Sequence, residues 1–244
     1  MQTLPSPRFL PHGDAALVVE FGDRIDPAVN ARVMALADAL RRAPIAGVAE
    51  LVPTFRSLLL HYDPLRLDFA DLVAQARDAV AGLADFVPRR RRVTIPACYE
   101  GDLAPDLADV ASLTGLTAEE VVRRHAGAEY AVYMIGFLPG FAYMGGLPER
   151  LHLPRLATPR LRVPARSLAI AMGMTAVYPL ESPGGWRLIG AVPADLFDLA
   201  ADPPALLRPG DRVRFRPVER AAFDDLRAAW AAGEGRLAIV EDAA

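Results

Sequence analysis

The sequence predicts an α+β chain in two parts, an N-terminal ferredoxin-like α/β sandwich over residues 1–88 and a C-terminal β-barrel or sandwich over residues 89–244. Three observations predict it. The chain up to Phe86 reads in the order β-α-β-β-α, with room for a last strand near Phe86. Pro88 is then followed by Arg89, Arg90, Arg91 and Arg92, and a proline beside a run of like charges marks a boundary rather than a core, either a solvated linker or a contact for a phosphate or an acidic partner. From Tyr130 to Phe215 the chain shows short apolar strands broken by Gly and Pro, with no helix longer than a turn or two.

The N-terminal elements follow from local chemistry. Ala15–Phe21 is an apolar run closed by Gly22-Asp23, a strand and a turn. Asp26-Pro27 supplies an N-cap and a first-turn proline. Val29, Val33, Leu36, Ala37 and Leu40 then recur at helical spacing. Gly47–Thr54 and Ser57–Tyr62 form a strand pair, with His61 either a ligand-facing histidine or a strand residue at the surface or sheet edge. Asp68 is placed to cap a second helix whose stripe is Phe69, Leu72, Val73, Ala76 and Val80.

In the C-terminal part, Val93–Tyr99 is a strand by its β-branched and aromatic content. Two short helices follow, separated by Gly115, and the second opens on the capping box Thr117…Glu120 and runs out near His125. Strands are expected at Tyr130–Ile135, Leu168–Met172, Thr175–Pro179, Trp186–Ala191 and Arg212–Phe215. Glu219–Ala232 is an amphipathic helix, and Leu237–Val240 is a final strand.

Composition narrows the function class. The 244 residues are 52% hydrophobic and 23% charged, an ordinary globular balance. A net charge of −3 gives no global field to recruit nucleic acid. All 27 basic residues are arginine, so a single Arg carries less meaning here than usual. Met1–Leu10 lacks the pattern of a signal peptide, and no apolar stretch reaches membrane-spanning length, so a cytoplasmic protein is expected. The single cysteine, Cys98, excludes an intrachain disulfide and a multi-cysteine zinc site, and reads as a small core residue. No metal-ligand spacing and no Gly-x-x-x-x-Gly-Lys phosphate loop is present.

Four segments carry candidate chemistry. The glycine- and proline-rich loop Gly136–Gly146 holds Phe137, Pro139, Gly140, Phe141 and Tyr143, whose rings either pack the loop down or wall a pocket. Arg160 and Arg162 alternate with apolar residues, so an extended chain points both to one side, where they would suit a carboxylate or phosphate or are simply a pair of exposed strand residues. Glu181 and Ser182 precede a Pro-Gly-Gly turn, where Glu181 is a candidate general base and Ser182 either a hydrogen-bonding or nucleophilic group or a turn stabiliser. Arg187 follows on the next strand. His125 is either an acid–base residue or a cation closing its helix. A small-molecule ligand, rather than nucleic acid or membrane, is the expected occupant.

Gly136–Leu147, Ala157-Thr158-Pro159-Arg160 and Ser182–Gly190 together resemble the allophanate hydrolase subunit 1 family, with His12–Ala16 and Tyr62-Asp63-Pro64 in agreement. That family includes the B subunit of the ATP-dependent 5-oxoprolinase and the KipI-type inhibitor of a sporulation kinase. The resemblance implies a cyclophilin-like form for the C-terminal barrel. It also implies a heteromer with two partners, a second carboxyltransferase-like subunit of the C type and a LamB/YcsF-type A subunit. It further implies ATP bound with or by a partner, and hydrolysis of 5-oxo-L-proline to L-glutamate. The alternatives it leaves are a KipI-type regulator without turnover and a subunit of a urea- or allophanate-type amide hydrolase. This chain departs from the family pattern at Arg166 and Ala176, where glycines are usual, and at Met174, where glutamine is usual. These changes imply a drier, narrower pocket if that strand lines it.

Overall fold

The computed structural model describes residues 6–85 and 91–241. It divides into two compact units, before and after residues 89/90.

The first unit is a four-stranded antiparallel sheet with two helices on one face. Its elements are β1 (Arg8–Pro11), β2 (Ala16–Glu20), α1 (Pro27–Arg42), β3 (Val48–Pro53), β4 (Ser57–Tyr62) and α2 (Phe69–Ala81). The strands lie in the order β1-β2-β4-β3. Alternation along β4 buries Leu58, Leu60 and Tyr62, which meet Val33, Leu36 and Leu40 of α1 and Leu72 and Ala76 of α2. Asp26 caps α1, accepting from Ala28 N at 2.7 Å and Val29 N at 3.3 Å. Asp68 stands at the N-cap of α2 but makes no side-chain capping bond. The sheet edge beside β2 is taken by β1, an N-terminal strand that sequence reasoning did not anticipate. The strand expected near Phe86 lies outside the described residues. His61 sits in a central strand, paired with Ala16 and Glu50 on its two sides, rather than at an edge.

The second unit is built on one eight-stranded mixed sheet. Its elements are β5 (Arg91–Ala97), α3 (Leu107–Thr114), α4 (Ala118–Ala126), β6 (Tyr130–Ile135), β7 (Ala142–Gly145), β8 (Arg160–Val163), β9 (Ser167–Ala171), β10 (Met174–Val177), β11 (Ser182–Gly184), β12 (Arg187–Ala191), β13 (Arg212–Pro217), α5 (Arg220–Ala231) and β14 (Ala238–Glu241). The order is β12-β9-β10-β7-β6-β13-β5-β14, antiparallel throughout except for the parallel pair β13–β5. β8 and β11 form a separate two-stranded ribbon.

The barrel expected from the sequence is an open sheet that curls. Its outermost strands β12 and β14 do not pair with each other, and the curl is held by one antiparallel bridge just beyond β5, between Cys98 and Ala191, with both backbone bonds at 2.9 Å. Cys98 is fully buried there beside Phe223 of α5. Arg91 and Arg92, expected in a solvated linker, instead open β5. The half-buried Arg91 guanidinium is held by both oxygens of Asp211, at 3.0 and 2.6 Å.

Every residue of β9 and β10 is buried, so the sheet is covered on both faces there. The segment expected as one continuous loop, Gly136–Gly146, is a hairpin: β7 pairs with β6 on one side and β10 on the other. α4 carries the expected capping box, with Glu120 N bonded to Thr117 and Thr117 N to the Glu120 carboxylate.

Candidate functional site

Phe141 is the hub of an aromatic cluster at the candidate site. It is 1% exposed, and edge-to-face contacts join its ring to Phe137 (5.5 Å), Tyr143 (4.9 Å), Tyr178 (5.2 Å) and Trp186 (5.8 Å). Tyr143 and Trp186 close the cluster at 5.9 Å. Such contacts favour the aromatic quadrupoles and add rigidity beyond the buried area. Glycines make the packing possible. A Cβ on Gly184 would stand 2.3 Å from the Tyr178 hydroxyl, and one on Gly140, at φ +77°, would stand 2.7 Å from the Cβ of Phe197. Phe137 holds a left-handed backbone, φ 69°, and the residue is 62% exposed. Pro139 is exposed beside it.

The arginines stand beside the rings. β8 pairs with β11, aligning Arg160 with Gly184 and Val163 with Ser182. Leu156 N bonds Gly185 O at 2.7 Å, which ties the 155–160 segment to the turn before Trp186. Nη2 of Arg160 donates to Oδ1 of Asp106, and Oδ2 of Asp106 accepts from Leu188 N at 2.7 Å. The buried Asp106 therefore ties Arg160 to the start of β12. The remaining Nη1 of Arg160 and Nε of Arg187 are buried with no hydrogen-bond partner. Buried donors are normally satisfied, so these two are exceptions in the fold. Burial raises the phenol pKa of both Tyr143 and Tyr178, with Arg155 pulling each back down and Arg160 adding to the effect on Tyr178. Both phenols remain neutral donors near neutral pH.

The residues expected to move protons are placed elsewhere. His125 is fully buried, and its nitrogens bond Tyr99 Oη and Thr175 Oγ1, each at 2.9 Å. Burial lowers its pKa to about 3, so the ring is a neutral core group, neither a helix-end cation nor on a pocket wall. Glu181 is exposed and gives both oxygens to Arg162, at 2.7 and 3.0 Å. That hydrogen bonding lowers the Glu181 pKa below the usual carboxylate range. Ser182 is buried, with its hydroxyl donating to the neighbouring Pro183 carbonyl at 3.2 Å. No side-chain hydrogen bond thus joins His125, Glu181 and Ser182 to one another. Arg160 and Arg162, expected to act together on one anion, hold different carboxylates of the chain itself.

The family departures are also legible. Arg166 adopts φ 70°, a conformation that glycine takes without cost, and its guanidinium bonds Asp195 at 2.9 Å. Arg227 holds the other Asp195 oxygen at 2.8 Å. Met174 and Ala176 are buried in β10, which removes them from any exposed wall. Sequence reasoning missed Asp106, Arg155, Tyr99 and Thr175. Asp106 had a local signal as the N-cap of α3, but its carboxylate serves Arg160 and Leu188 instead of the helix. Among the described residues, no group of three His, Cys, Asp or Glu side chains is arranged to hold a metal ion, and no helix is long and apolar enough to cross a membrane.

Residues 7–207 match the family model described as "Carboxyltransferase domain, subdomain C and D". The chain is 41% identical over 214 residues to the 5-oxoprolinase B subunit of Bacillus subtilis strain 168, covering 83% of this chain and 89% of that protein. It is 43% identical over 208 residues to the 5-oxoprolinase B subunit of Escherichia coli O157:H7, covering 84% and 93%. A crystal structure of TTHA0988 superposes with a TM-score of 0.75 at 42% identity, covering 84% of this chain. This chain spans 40% of that longer one.

Proposed function

The chain belongs to the family of the carboxyltransferase domain, subdomains C and D, alongside 5-oxoprolinase B subunits, and we propose that it is the B subunit of a multi-subunit, ATP-dependent 5-oxoprolinase. The observation that carries this reading is convergence. Phe137, Phe141 and Tyr143 of Gly136–Leu147 pack in one ring cluster with Trp186 of Ser182–Gly190, and Arg160 of Ala157–Arg160 pairs with Gly184 of that same segment, which supports the reading.

The chemistry suits a small cyclic amide bearing a carboxylate. Flat rings favour contact with the five-membered lactam. The unpartnered guanidinium nitrogens of Arg160 and Arg187 would take the carboxylate, and neutral Tyr143 and Tyr178 are phenols able to donate to an amide oxygen. In this reading the chain binds and orients the ring. The C-type carboxyltransferase partner and the LamB/YcsF-type A subunit supply the ATP-dependent activation and the water that opens it to L-glutamate. The chain has no phosphate-cradling Gly-x-x-x-x-Gly-Lys loop, so the reading assigns ATP to those partners. The ferredoxin-like and cyclophilin-like names for the two units belong to the same reading.

Co-expression with the two partner subunits, followed by 5-oxoproline-dependent ADP release, tests it. Release that requires this chain supports the proposal, and no release with any partner combination overturns it. A second reading, a KipI-type binding module without turnover, is favoured by one observation. His125, Glu181 and Ser182 are all engaged within the fold. Tight binding to a histidine kinase together with absent ADP release would establish that reading.

A further inference from the structure

Arg155 lies on a strap tied down on both sides. Met172 N, just past β9, bonds Leu153 O at 2.6 Å, and Leu156 N bonds Gly185 O at 2.7 Å. A Cβ on Gly185 would stand 3.8 Å from the Cβ of Arg155, so the arginine stem starts against the residue that precedes Trp186. Trp186 is a member of the ring cluster, 5.9 Å from Tyr143. Gly184, one residue earlier, is the close neighbour of the Tyr178 hydroxyl. Consecutive Cα atoms are about 3.8 Å apart, so Arg155 starts one residue along from that hydroxyl.

The electrostatics agree with this placement. Burial raises the pKa of both Tyr143 and Tyr178, and the Arg155 cation acts on both in the opposite sense. Arg155 is exposed, and among the described residues it has no ion pair and no hydrogen bond. Arg160 and Arg162 differ from it, since each holds a carboxylate of the chain. Arg155 is therefore a positive charge on a fixed backbone, close to two phenols and open to a ligand.

We propose that Arg155 is a catalytic residue that meets the lactam oxygen of the bound ring beside Tyr143 and Tyr178, an assignment that rests on the 5-oxoprolinase reading. In the intact ring that oxygen carries only a partial negative charge. As water adds to the ring carbon, the carbonyl electron pair moves onto the oxygen. The pair returns when the C–N bond breaks and the nitrogen takes the protons that water gives up. A fixed cation at the oxygen stabilises the charged stage more than the bound substrate, so it acts on the rate rather than on binding. The phenols supply neutral hydrogen bonds there, and the guanidinium supplies full charge.

Steady-state ADP release by the assembled subunits, dependent on 5-oxoproline, is the test. Arg155→Gln and Arg155→Lys are compared with the native chain, each checked for native circular dichroism and for assembly. Arg155→Gln is expected to lower kcat at least about thirtyfold with KM changed less than about threefold. Arg155→Lys keeps the charge and is expected to recover at least about tenfold of that loss. Arg123→Gln, at an exposed arginine on α4, is expected to leave both constants unchanged. A native complex that releases no ADP overturns the 5-oxoprolinase reading and this assignment with it. A native complex that turns over overturns the assignment alone if Arg155→Gln keeps the native kcat, if it changes KM only, or if Arg155→Lys is as slow as Arg155→Gln.

Discussion

The hydroxyl of Tyr99 donates to Nδ1 of His125 across 2.9 Å inside the C-terminal core. The direction follows from the far end of the chain of bonds. The Thr175 hydroxyl donates to the Ala169 carbonyl at 2.9 Å, so it must accept from Nε2–H of His125. Nδ1 is therefore the bare nitrogen. One histidine ties together the end of β5, α4, β10 and, through Thr175, β9, with Tyr130 and Phe215 packed on its ring at 5.1 Å each.

This arrangement makes stability depend on pH. The folded pKa of His125 is lowered to about 3 from the ordinary 6.5, so below pH 6.5 the unfolded chain binds a proton that the folded chain refuses. The contribution is complete above pH 6.5, falls by up to about 1.4 kcal/mol per pH unit below it, and levels off near pH 3. Urea unfolding at pH 7 and pH 5 is expected to show a larger loss in the native chain than in His125→Gln.

Thr175→Val removes the acceptor for Nε2–H and leaves a buried donor unpaired. A loss of about 1–3 kcal/mol is expected by chemical denaturation, largely recovered in Thr175→Ser.

Arg166→Gly and Arg166→Ala both lose the Asp195 bond, but only glycine relieves the left-handed backbone. Glycine is expected to be the more stable of the two by about 1 kcal/mol in paired unfolding curves.

Gly184→Ala places a Cβ on the Tyr178 hydroxyl and pushes the ring off Phe141. A cost of about 1–3 kcal/mol and a clear loss of turnover in the assembled enzyme are expected. Glu181→Gln breaks only an exposed, solvent-screened ion pair, so an unfolding curve that overlays the native one and near-native turnover are expected.

The regular elements were readable where local chemistry sufficed. The capping box at Thr117, the Asp26-Pro27 start and the apolar strands at Tyr130, Ser167 and Arg187 depend on neighbours in sequence. β1, β7 and β11 were not readable as strands. β1 and β11 are short and exposed at edges or in a ribbon, and β7 is hidden among glycines that serve close packing. In the site, the aromatic loop and Arg160 were legible by composition. The role of His125 was not, because only tertiary packing turns a helix-end histidine into a fully buried one. Asp106 was equally opaque, since its partners lie 54 and 82 residues away.

Arg187→Met tests the central claim most directly. It keeps the aliphatic stem but removes a buried nitrogen that has no partner in the fold. The account predicts unchanged or slightly higher unfolding stability, with 5-oxoproline-dependent ADP release by the assembled subunits reduced at least a hundredfold in kcat/KM. A folded, assembled Arg187→Met enzyme that turns over 5-oxoproline like the native one would contradict it.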